Sequence, residues 1–189
     1  MANKKNVNMT ITVEEDGEIK KVDLKKTTNS KISDDMLVKV KSTFFGQLFF
    51  KNKKSGEVTE WEYPGDVQTM TMRDLRSMKA EQASFFKNGW LLVLGFADGE
   101  DCGANCADIY KNLMITQYYE NYIEPTDMRA VCSWNINEIP EKIAMLSPEA
   151  RENLLVAINT YIKNGSLDSI KKIKAFEKAL GHELLSIDE

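Results

Sequence analysis

The stretch from Val38 to Leu94 constrains the fold of this chain more than any other. It reads VKVKSTFFGQLFFKNKKSGEVTEWEYPGDVQTMTMRDLRSMKAEQASFFKNGWLLVL, which predicts in order a hairpin, a turn, a helix and an apolar strand. The stretch contains no histidine and no cysteine. Because it is rich in structural signals and poor in reactive side chains, we expect it to supply shape and surface rather than chemistry.

Length and charge bound the class of protein. A chain of 189 residues with 42% hydrophobic residues can form one domain, or one domain with a helical appendage. Its net charge of −4 gives no general attraction for nucleic acid, and residues 98–152 hold eleven acidic residues against four basic ones. We therefore do not expect nucleic acid among its partners.

The sequence also indicates a compartment. No window approaches the ~18 uncharged apolar residues that a membrane helix needs, and no apolar stretch follows the N-terminal lysines. The three cysteines, an odd number, fit a reducing environment better than a disulfide framework. We expect synthesis in a cytoplasm, no signal peptide and no membrane contact.

The N-terminal residues predict a small hairpin. Residues 7–14 alternate apolar and polar side chains, Asp16-Gly17 favours a tight turn, and IKKVDL returns. The polar stretch KKTTNSKISDD follows. It is either a tether that makes residues 1–30 an arm, or a polar loop inside one domain.

The central residues predict a second hairpin, a helix and a strand. Residues 38–52 and 58–63 form the hairpin, with a bulge at Gly46, and Pro64-Gly65 ends the sheet. Thr71 caps a helix over 72–87, with Asp74 in its first turn. The apolar run WLLVLGF predicts a buried strand, and another helix follows at about 109–122.

The C-terminal third predicts two helices. Ser147-Pro148-Glu149 is a strong helix start, Asn164-Gly165 ends that helix, and a second helix closes at Gly181. We predict an α+β fold: an antiparallel sheet formed by the two hairpins and WLLVLGF, with a packed helix, plus a C-terminal helical hairpin. Its segments are an arm (1–30), an α+β core (31–135) and a helical region (136–189).

Cysteine and histidine offer one candidate metal site. Cys102 and Cys106, with Cys132 and His182, could supply three sulfurs and one nitrogen to zinc, although the second two are single ligands far apart. The alternative is three unrelated cysteines. We predict no metal site, and the sequence alone leaves open whether the three cysteines bind a metal.

No catalytic motif is complete. His182-Glu183 lacks the second histidine of a metalloprotease helix, since position 186 is Ser186. Glu60 and Glu62 share one strand face, and paired carboxylates can act as acid and base in sugar hydrolysis if they line a cleft. Adjacent acids on the same face of a hairpin are more typical of a solvated surface, so we do not predict catalysis there. One loop holds three glycines and three acidic residues: Gly95, Gly99 and Gly103 beside Asp98, Glu100 and Asp101. The glycines could in principle cradle phosphate, but the acidic residues would repel a phosphate group. The acidic residues could bind calcium, but the loop lacks the ligand order of an EF-hand. We predict no catalytic residues, no cofactor and no enzymatic activity.

The last helix provides the alternative function. It carries four lysines that could contact a DNA backbone in a small DNA-binding or regulatory module: Lys171, Lys172, Lys174 and Lys178. The net acidity of the chain argues against this function.

Several blocks carry a family resemblance. The blocks span about residues 38–185. They are VKVKS, Gly46, SGEVTEW, GDVQTM, LRSM and FFKNGW, followed by IYKNLMITQYYENYI and NGSLDSIKKIKAFEKALGHEL. Together they resemble a group of small, poorly characterised virion structural proteins of tailed bacteriophages. The segment with Cys102 and Cys106 departs from that pattern, and no functional residue can be carried over.

The resemblance implies a non-enzymatic structural protein of a phage particle, at the capsid vertex, neck or tail. We therefore predict an assembly component that acts through protein–protein contacts with other virion proteins or with copies of itself. It would be synthesised in the host cytoplasm and located in the virion.

Overall fold

The computed structural model describes residues 9–15, 18–99 and 102–184. These residues form two compact units, Met1–Glu124 and Pro125–Glu189. The division falls after Glu124, whereas the sequence predicted boundaries after residues 30 and 135. Helices and antiparallel sheets are both present, so the predicted α+β fold class is confirmed.

The first unit contains all the described strands. They are β1 (Thr10–Glu15), β2 (Glu18–Asp23), β3 (Leu37–Ser42), β4 (Leu48–Lys51), β5 (Val58–Trp61), β6 (Val67–Thr71) and β7 (Leu91–Phe96). Its helices are α1 (Met72–Glu81), α2 (Ser84–Lys87) and α3 (Cys106–Asn112), followed by a 3-10 turn at Thr116–Tyr119. The second unit contains α4 (Met128–Ser133), α5 (Ile139–Ala144), α6 (Pro148–Lys163) and α7 (Ile170–Leu180).

The strands form three separate sheets. Strand β3 lies at the centre of a three-stranded antiparallel sheet with the order β6-β3-β7, while β1-β2 and β4-β5 are two-stranded. The prediction of one sheet built from both hairpins and WLLVLGF is therefore wrong in its membership. The apolar run does pair with β3, as β7.

Strand β6 was missed because Pro64-Gly65 does not end the sheet. Gly65 adopts a positive φ of 92°, and its N–H donates to the Ser42 carbonyl at 2.7 Å. The turn therefore returns the chain to β3, where Val67–Thr71 pairs with Leu37–Lys41. A proline-glycine turn redirects a chain as readily as it terminates a sheet.

The β4-β5 hairpin is shorter than predicted. Its strands cover 48–51 and 58–61, and Gly56 has the positive φ (78°) expected in the connecting turn. The predicted bulge at Gly46 is wrong: residues 43–47 leave the sheet there, and the register shift lies between Lys39 and Val40 on the β7 side. The indole N–H of Trp61 donates to the Val40 carbonyl at 2.9 Å, which ties the hairpin to β3.

The helix predicted over 72–87 is two helices. Thr71 caps α1 as expected, since its hydroxyl accepts from the Asp74 N–H at 3.1 Å. The chain leaves helical geometry at Gln82 and resumes at α2. Helix α1 buries Met72, Leu75 and Met78 in the hydrophobic core of the first unit.

The helix predicted near 109–122 begins earlier and ends earlier. Helix α3 starts at Cys106, and Met114 has a positive φ of 53° where the helical path breaks before the 3-10 turn. Three tyrosines in this region, Tyr110, Tyr119 and Tyr122, belong to or pack on the core of the first unit.

In the second unit, the predicted start and end of α6 and the predicted end of α7 are confirmed. Ser147 caps α6 with Pro148 in the first turn, and Gly181 ends α7 in a left-handed conformation (φ 72°). Helix α7 packs mainly on α5, with Phe176 buried and its ring 5.9 Å from that of Trp134. Ile170, the first residue of α7, is 62% exposed, whereas Ile173 and Phe176 of the same helix are buried.

Candidate interaction surfaces

The largest cluster of polar contacts is centred on Asp108 in the first turn of α3. Its Oδ2 atom accepts from the Thr28 hydroxyl (2.6 Å), the Thr28 N–H (3.1 Å) and the Asn105 N–H (2.9 Å). Its Oδ1 atom accepts from the Asn29 N–H at 2.9 Å. A carboxylate offers about four lone-pair positions. Those of Asp108 are therefore committed to holding the chain around Thr28.

The electrostatics agree with this structural role. Burial opposes ionisation of the Asp108 carboxyl, but hydrogen bonds from the Thr28 hydroxyl and from the amides of Asn105, Thr28 and Asn29 outweigh it. They lower the pKa of Asp108 below its ordinary value. Asp108 is only 3% exposed, because the residues that donate hydrogen bonds to its carboxylate also cover it.

Contacts around Asn105 and Lys111 also show whether the polar stretch after β2 is a tether or a packed loop. Asn105 donates from Nδ2 to the Lys26 carbonyl (2.8 Å), and the Lys111 ammonium donates to the Asn29 amide oxygen. Residues 26–30 are thus a loop fastened to α3 within the first unit. Of the two interpretations that the sequence left open, the structure supports the polar loop. The sequence reasoning missed Asp108, although Asn105 and Asp108 have the spacing of a capping box.

Strand β7, one edge of the three-stranded sheet, is closed by tyrosine hydroxyls. The Tyr110 hydroxyl donates to the Val93 carbonyl at 3.0 Å and accepts from the Val93 N–H at 3.1 Å. The Tyr119 hydroxyl donates to the Leu91 carbonyl. Burial raises the pKa of both phenols well above the ordinary value, so they remain neutral hydrogen-bonding groups.

The packing of these tyrosines fixes that closure. The rings of Tyr110 and Tyr119 meet edge to face at 4.9 Å, and Tyr122 packs on Tyr119 at 5.1 Å. Tyr110 and Tyr119 are completely buried. Because their rings are held by one another, their hydroxyls occupy the positions where another strand would bind β7.

Strand β6, the opposite edge, pairs with β3 on its inner side. The Ser42 N–H donates to the Asp66 carbonyl at 2.8 Å, and the Met72 N–H donates to the Met36 carbonyl at 2.9 Å. These two hydrogen bonds lie just beyond the two ends of the β3-β6 ladder and continue its register. In an antiparallel ladder, backbone groups face the partner strand at every second residue.

The outer side of β6 is therefore open at Val67 and Thr69. By that alternation Gln68 and Met70 direct their backbone groups toward β3, whereas Val67 and Thr69 direct theirs outward. Among residues 9–15, 18–99 and 102–184, none forms a hydrogen bond with these outward groups. Both side chains are exposed, that of Val67 to 43%. The two edges of one sheet thus differ in hydrogen bonding: tyrosine hydroxyls bond to the outer backbone groups of β7, whereas no described residue bonds to those of Val67 and Thr69.

The outer face of the β4-β5 hairpin exposes apolar side chains. Phe49 is 66% exposed and Val58 is 59% exposed. The register pairs Phe49 with Glu60 and Lys51 with Val58, so the two apolar residues are diagonal neighbours on one face. An open groove of about 450 Å³ adjoins Phe49; it is lined by Gln47, Leu48, Phe49, Glu81, Gln82, Ala83, Ser84 and Phe85.

The structure does not use Glu60 and Glu62 as a pair. Glu60 lies in β5 and accepts from the Gln47 amide at 2.5 Å. Glu62 follows the end of β5, where its N–H donates to the Asp66 carboxylate at 3.0 Å. Both side chains are exposed, as expected for a solvated face.

One ion pair was missed by the sequence reasoning. The Lys41 ammonium lies 2.5 Å from the Glu124 carboxylate, and the two side chains are only 17% and 9% exposed. The residues are far apart in sequence, and neither belongs to a motif. Glu124 also raises the pKa of the adjacent Tyr122 phenol, after the larger effect of burial.

The candidate metal ligands fall in different units. Cys102 and Cys106 belong to the first unit, and Cys132 and His182 to the second. The Cys106 sulfur lies 3.5 Å from the Val93 carbonyl, and burial raises the pKa of the Cys132 thiol despite the opposing effect of Lys172. Within the described ranges, no three His, Cys, Asp or Glu side chains could jointly hold a metal ion.

The glycine-containing loop is only partly described. Gly95 lies in β7, and the Asp98 carboxylate pairs with the Lys39 ammonium at 2.8 Å. The Asp98 side chain is 80% exposed, which limits the energy of that pair. Glu100 and Asp101 lie outside the described residues.

The lysines of α7 divide into two groups. Lys172 donates to the Cys132 carbonyl at 2.5 Å and so belongs to the packing of the second unit. Lys171, Lys174 and Lys178 are exposed. They form the basic surface that the alternative function would use.

Comparison of the chain with protein-family models, with curated proteins and with solved structures found no match. Among the described helices, none has the length and apolar character required to cross a membrane.

Proposed function

We propose that this protein is a non-enzymatic assembly component of a tailed-phage virion, at the capsid vertex, neck or tail. It would act through protein–protein contacts with other virion proteins or with copies of itself. The resemblance of residues 38–185 to small virion structural proteins suggests the setting. The open outer edge of β6 is the observation that carries the mode of action.

An open strand edge favours binding by another extended chain. Its outward N–H and C=O groups are a template for strand addition, and proteins that stay separate cover or charge such edges. In this chain the β7 edge is covered by Tyr110 and Tyr119, whereas the outward backbone groups of Val67 and Thr69 have no hydrogen-bond partner among the described residues, and Val67–Thr71 carries no charged side chain. Because of this asymmetry, another strand would add to the sheet at β6 and not at β7.

Exposed apolar side chains in the same unit support the proposal. Tyr63 is 59% exposed in the turn that precedes β6, and Phe49 and Val58 lie on the hairpin before it. Aromatic residues are enriched in protein–protein interfaces, where they bury large areas at a small entropic cost. They would add apolar contact to the backbone pairing.

The test is to look for the protein in purified particles of the phage that carries its gene. Particles banded by density and washed in high salt should retain it at a constant copy number relative to the major capsid protein. Absence from washed particles, with abundant protein in the infected-cell lysate, would contradict the proposal. A non-structural phage protein of similar abundance, measured in both fractions, controls for carry-over.

The basic surface of α7 favours a second candidate, a DNA-binding or regulatory module. Lys171, Lys174 and Lys178 are exposed along α7 and could contact phosphates. If they do, affinity for duplex DNA should fall steeply with salt and disappear when the three become glutamate. Salt-independent or undetectable binding of the wild-type protein would eliminate this candidate.

A further inference from the structure

We infer that two copies of this chain pair through β6, antiparallel to each other, about a two-fold axis at Thr69. The inference rests on the proposed function and deepens it by naming the partner of the open edge. The occupant is Val67–Thr71 of a second copy, which would extend the three-stranded sheet into a six-stranded sheet across the two subunits.

The backbone supplies the first argument. The outward groups at Val67 and Thr69 repeat every second residue, a spacing matched by another extended strand. Most homodimers have two-fold symmetry, in which one surface binds its own copy. An antiparallel strand edge satisfies this symmetry, because rotation about Thr69 places the donors of one copy opposite the acceptors of the other.

The side chains of β6 favour self-pairing in this register. Thr69 lies opposite Thr69 of the second copy, and Val67 lies opposite its Thr71. Facing threonines stabilise a strand pair, and β-branched residues suit a pleated surface. Between Asp66 and Arg73 the strand carries no charge, so self-pairing places no like charges opposite each other.

The ends of the strand carry different charged groups: Asp66 lies at one end, and Arg73 and Arg76, paired with Asp35 and Asp34, lie at the other. Antiparallel pairing brings Asp66 of one copy toward Arg73 of the other, whereas a parallel arrangement would place like ends together. Arg73 already pairs with Asp35 at the surface, but its side chain remains 62% exposed, and its guanidinium has further donors. The same end of β6 also holds Asp34, which faces Arg76.

The size of the contact sets the expected strength. A pair of five-residue strands buries less surface than a standard interface, so we expect a weak dimer that forms with increasing concentration. Inside a particle, high local concentration would favour the paired state. The affinity in solution is therefore the measurable quantity.

The test introduces a positive or a negative charge at Thr69, on the two-fold axis, in two separate variants. Sedimentation velocity over a range of concentrations then measures the oligomeric state. Wild-type protein should shift from monomer to dimer. Thr69→Lys and Thr69→Glu should each remain monomeric, because each places like charges face to face. An equimolar mixture of the two variants should recover the dimer, since opposite charges then face each other. Lys51→Glu, on the exposed face of β4, serves as the control and should dimerise like the wild type.

Three results would overturn the inference. A wild-type protein that is monomeric at every concentration does not pair through β6. A dimer that persists in both Thr69 variants uses another surface. A mixture that fails to recover the dimer contradicts the axis at Thr69.

A second measurement covers variants that fail to fold. In wild-type protein prepared from equal parts of isotope-labelled and unlabelled chains, nuclear Overhauser contacts between copies should appear at Thr69. Dimer without such contacts would also overturn the inference. The particle experiment is independent of these results, so failure of self-pairing and failure of the assembly function are distinguished.

Discussion

The two edges of the three-stranded sheet are treated in opposite ways. At β7, the hydroxyls of Tyr110 and Tyr119 bond to the backbone of Val93 and Leu91, and the rings are buried among core residues. At β6, Val67 and Thr69 direct their backbone groups away from β3, and no described residue forms a hydrogen bond with those groups. The same strand geometry therefore has its outer backbone groups satisfied by side-chain hydroxyls at β7 and left without a hydrogen bond from the described residues at Val67 and Thr69.

Two proline substitutions in β6 test which backbone groups face β3 and which face outward. In Gln68→Pro the lost N–H faces β3, so a ladder hydrogen bond is broken and we expect a loss of about 3 kcal/mol of unfolding free energy. In Thr69→Pro the lost N–H faces outward, and we expect a cost of about 1 kcal/mol or less. Urea denaturation measures both. Equal losses would show that the two faces of β6 are assigned wrongly.

Tyr110→Phe tests the covered edge. It removes the hydroxyl that serves both the N–H and the C=O of Val93, leaving buried polar groups unpaired. We expect a loss of about 2–3 kcal/mol of unfolding free energy. Tyr63→Phe is the control: Tyr63 is 59% exposed, and its change should stay within about 0.5 kcal/mol. Similar small effects for both tyrosines would contradict the closure of β7.

Asp108→Asn tests the loop at residues 26–30 that is fastened to α3. The amide keeps the size of the carboxylate but loses its charge and presents N–H donors to the donors of Thr28, Asn29 and Asn105. We expect a loss of about 2 kcal/mol, measured by denaturation at neutral pH. The N-cap role of Asn105 remains, so α3 itself should persist in circular dichroism. An unchanged free energy would contradict the structural role of Asp108.

The smallest expected effect is the pH dependence of that same contact. The folded-state pKa of Asp108 lies below its ordinary value near 3.8, so its contribution is fully present above that value. It is lost as the pH falls through the lower, folded-state pKa. The difference in unfolding free energy between the wild type and Asp108→Asn should therefore shrink below about pH 4. A difference that is constant from pH 7 to pH 3 would contradict a lowered pKa.

The sequence could predict what depends on neighbouring residues. The apolar run Leu91–Phe96, the hydroxyl cap at Thr71, the start of α6 at Ser147 and the end of α7 at Gly181 are all local signals, and each is confirmed. The capping box of Asn105 and Asp108 was visible in the same way but was overlooked. Such features need only the geometry of one turn.

The sequence could not predict what depends on distant partners. β6 lacks a strong apolar signal, since only Met70 of its five residues is buried, and its partner β3 lies across an intervening hairpin. The Tyr110 hydroxyl reaches Val93 only because α3 packs on β7. The Asp108 contacts join residues eighty positions apart. Pairing of this kind is set by the tertiary fold, so periodicity alone does not reveal it.

Amide hydrogen exchange reports the protection of both edges of the three-stranded sheet in one experiment. At a concentration where the protein is monomeric, the Val93 amide should be strongly protected by Tyr110, and the Val67 and Thr69 amides should exchange rapidly. Gln68 and Met70, which face β3, provide protected references within the same strand. If the Val67 and Thr69 amides exchange as slowly as the Val93 amide, the β6 edge is covered within the chain and the account is contradicted.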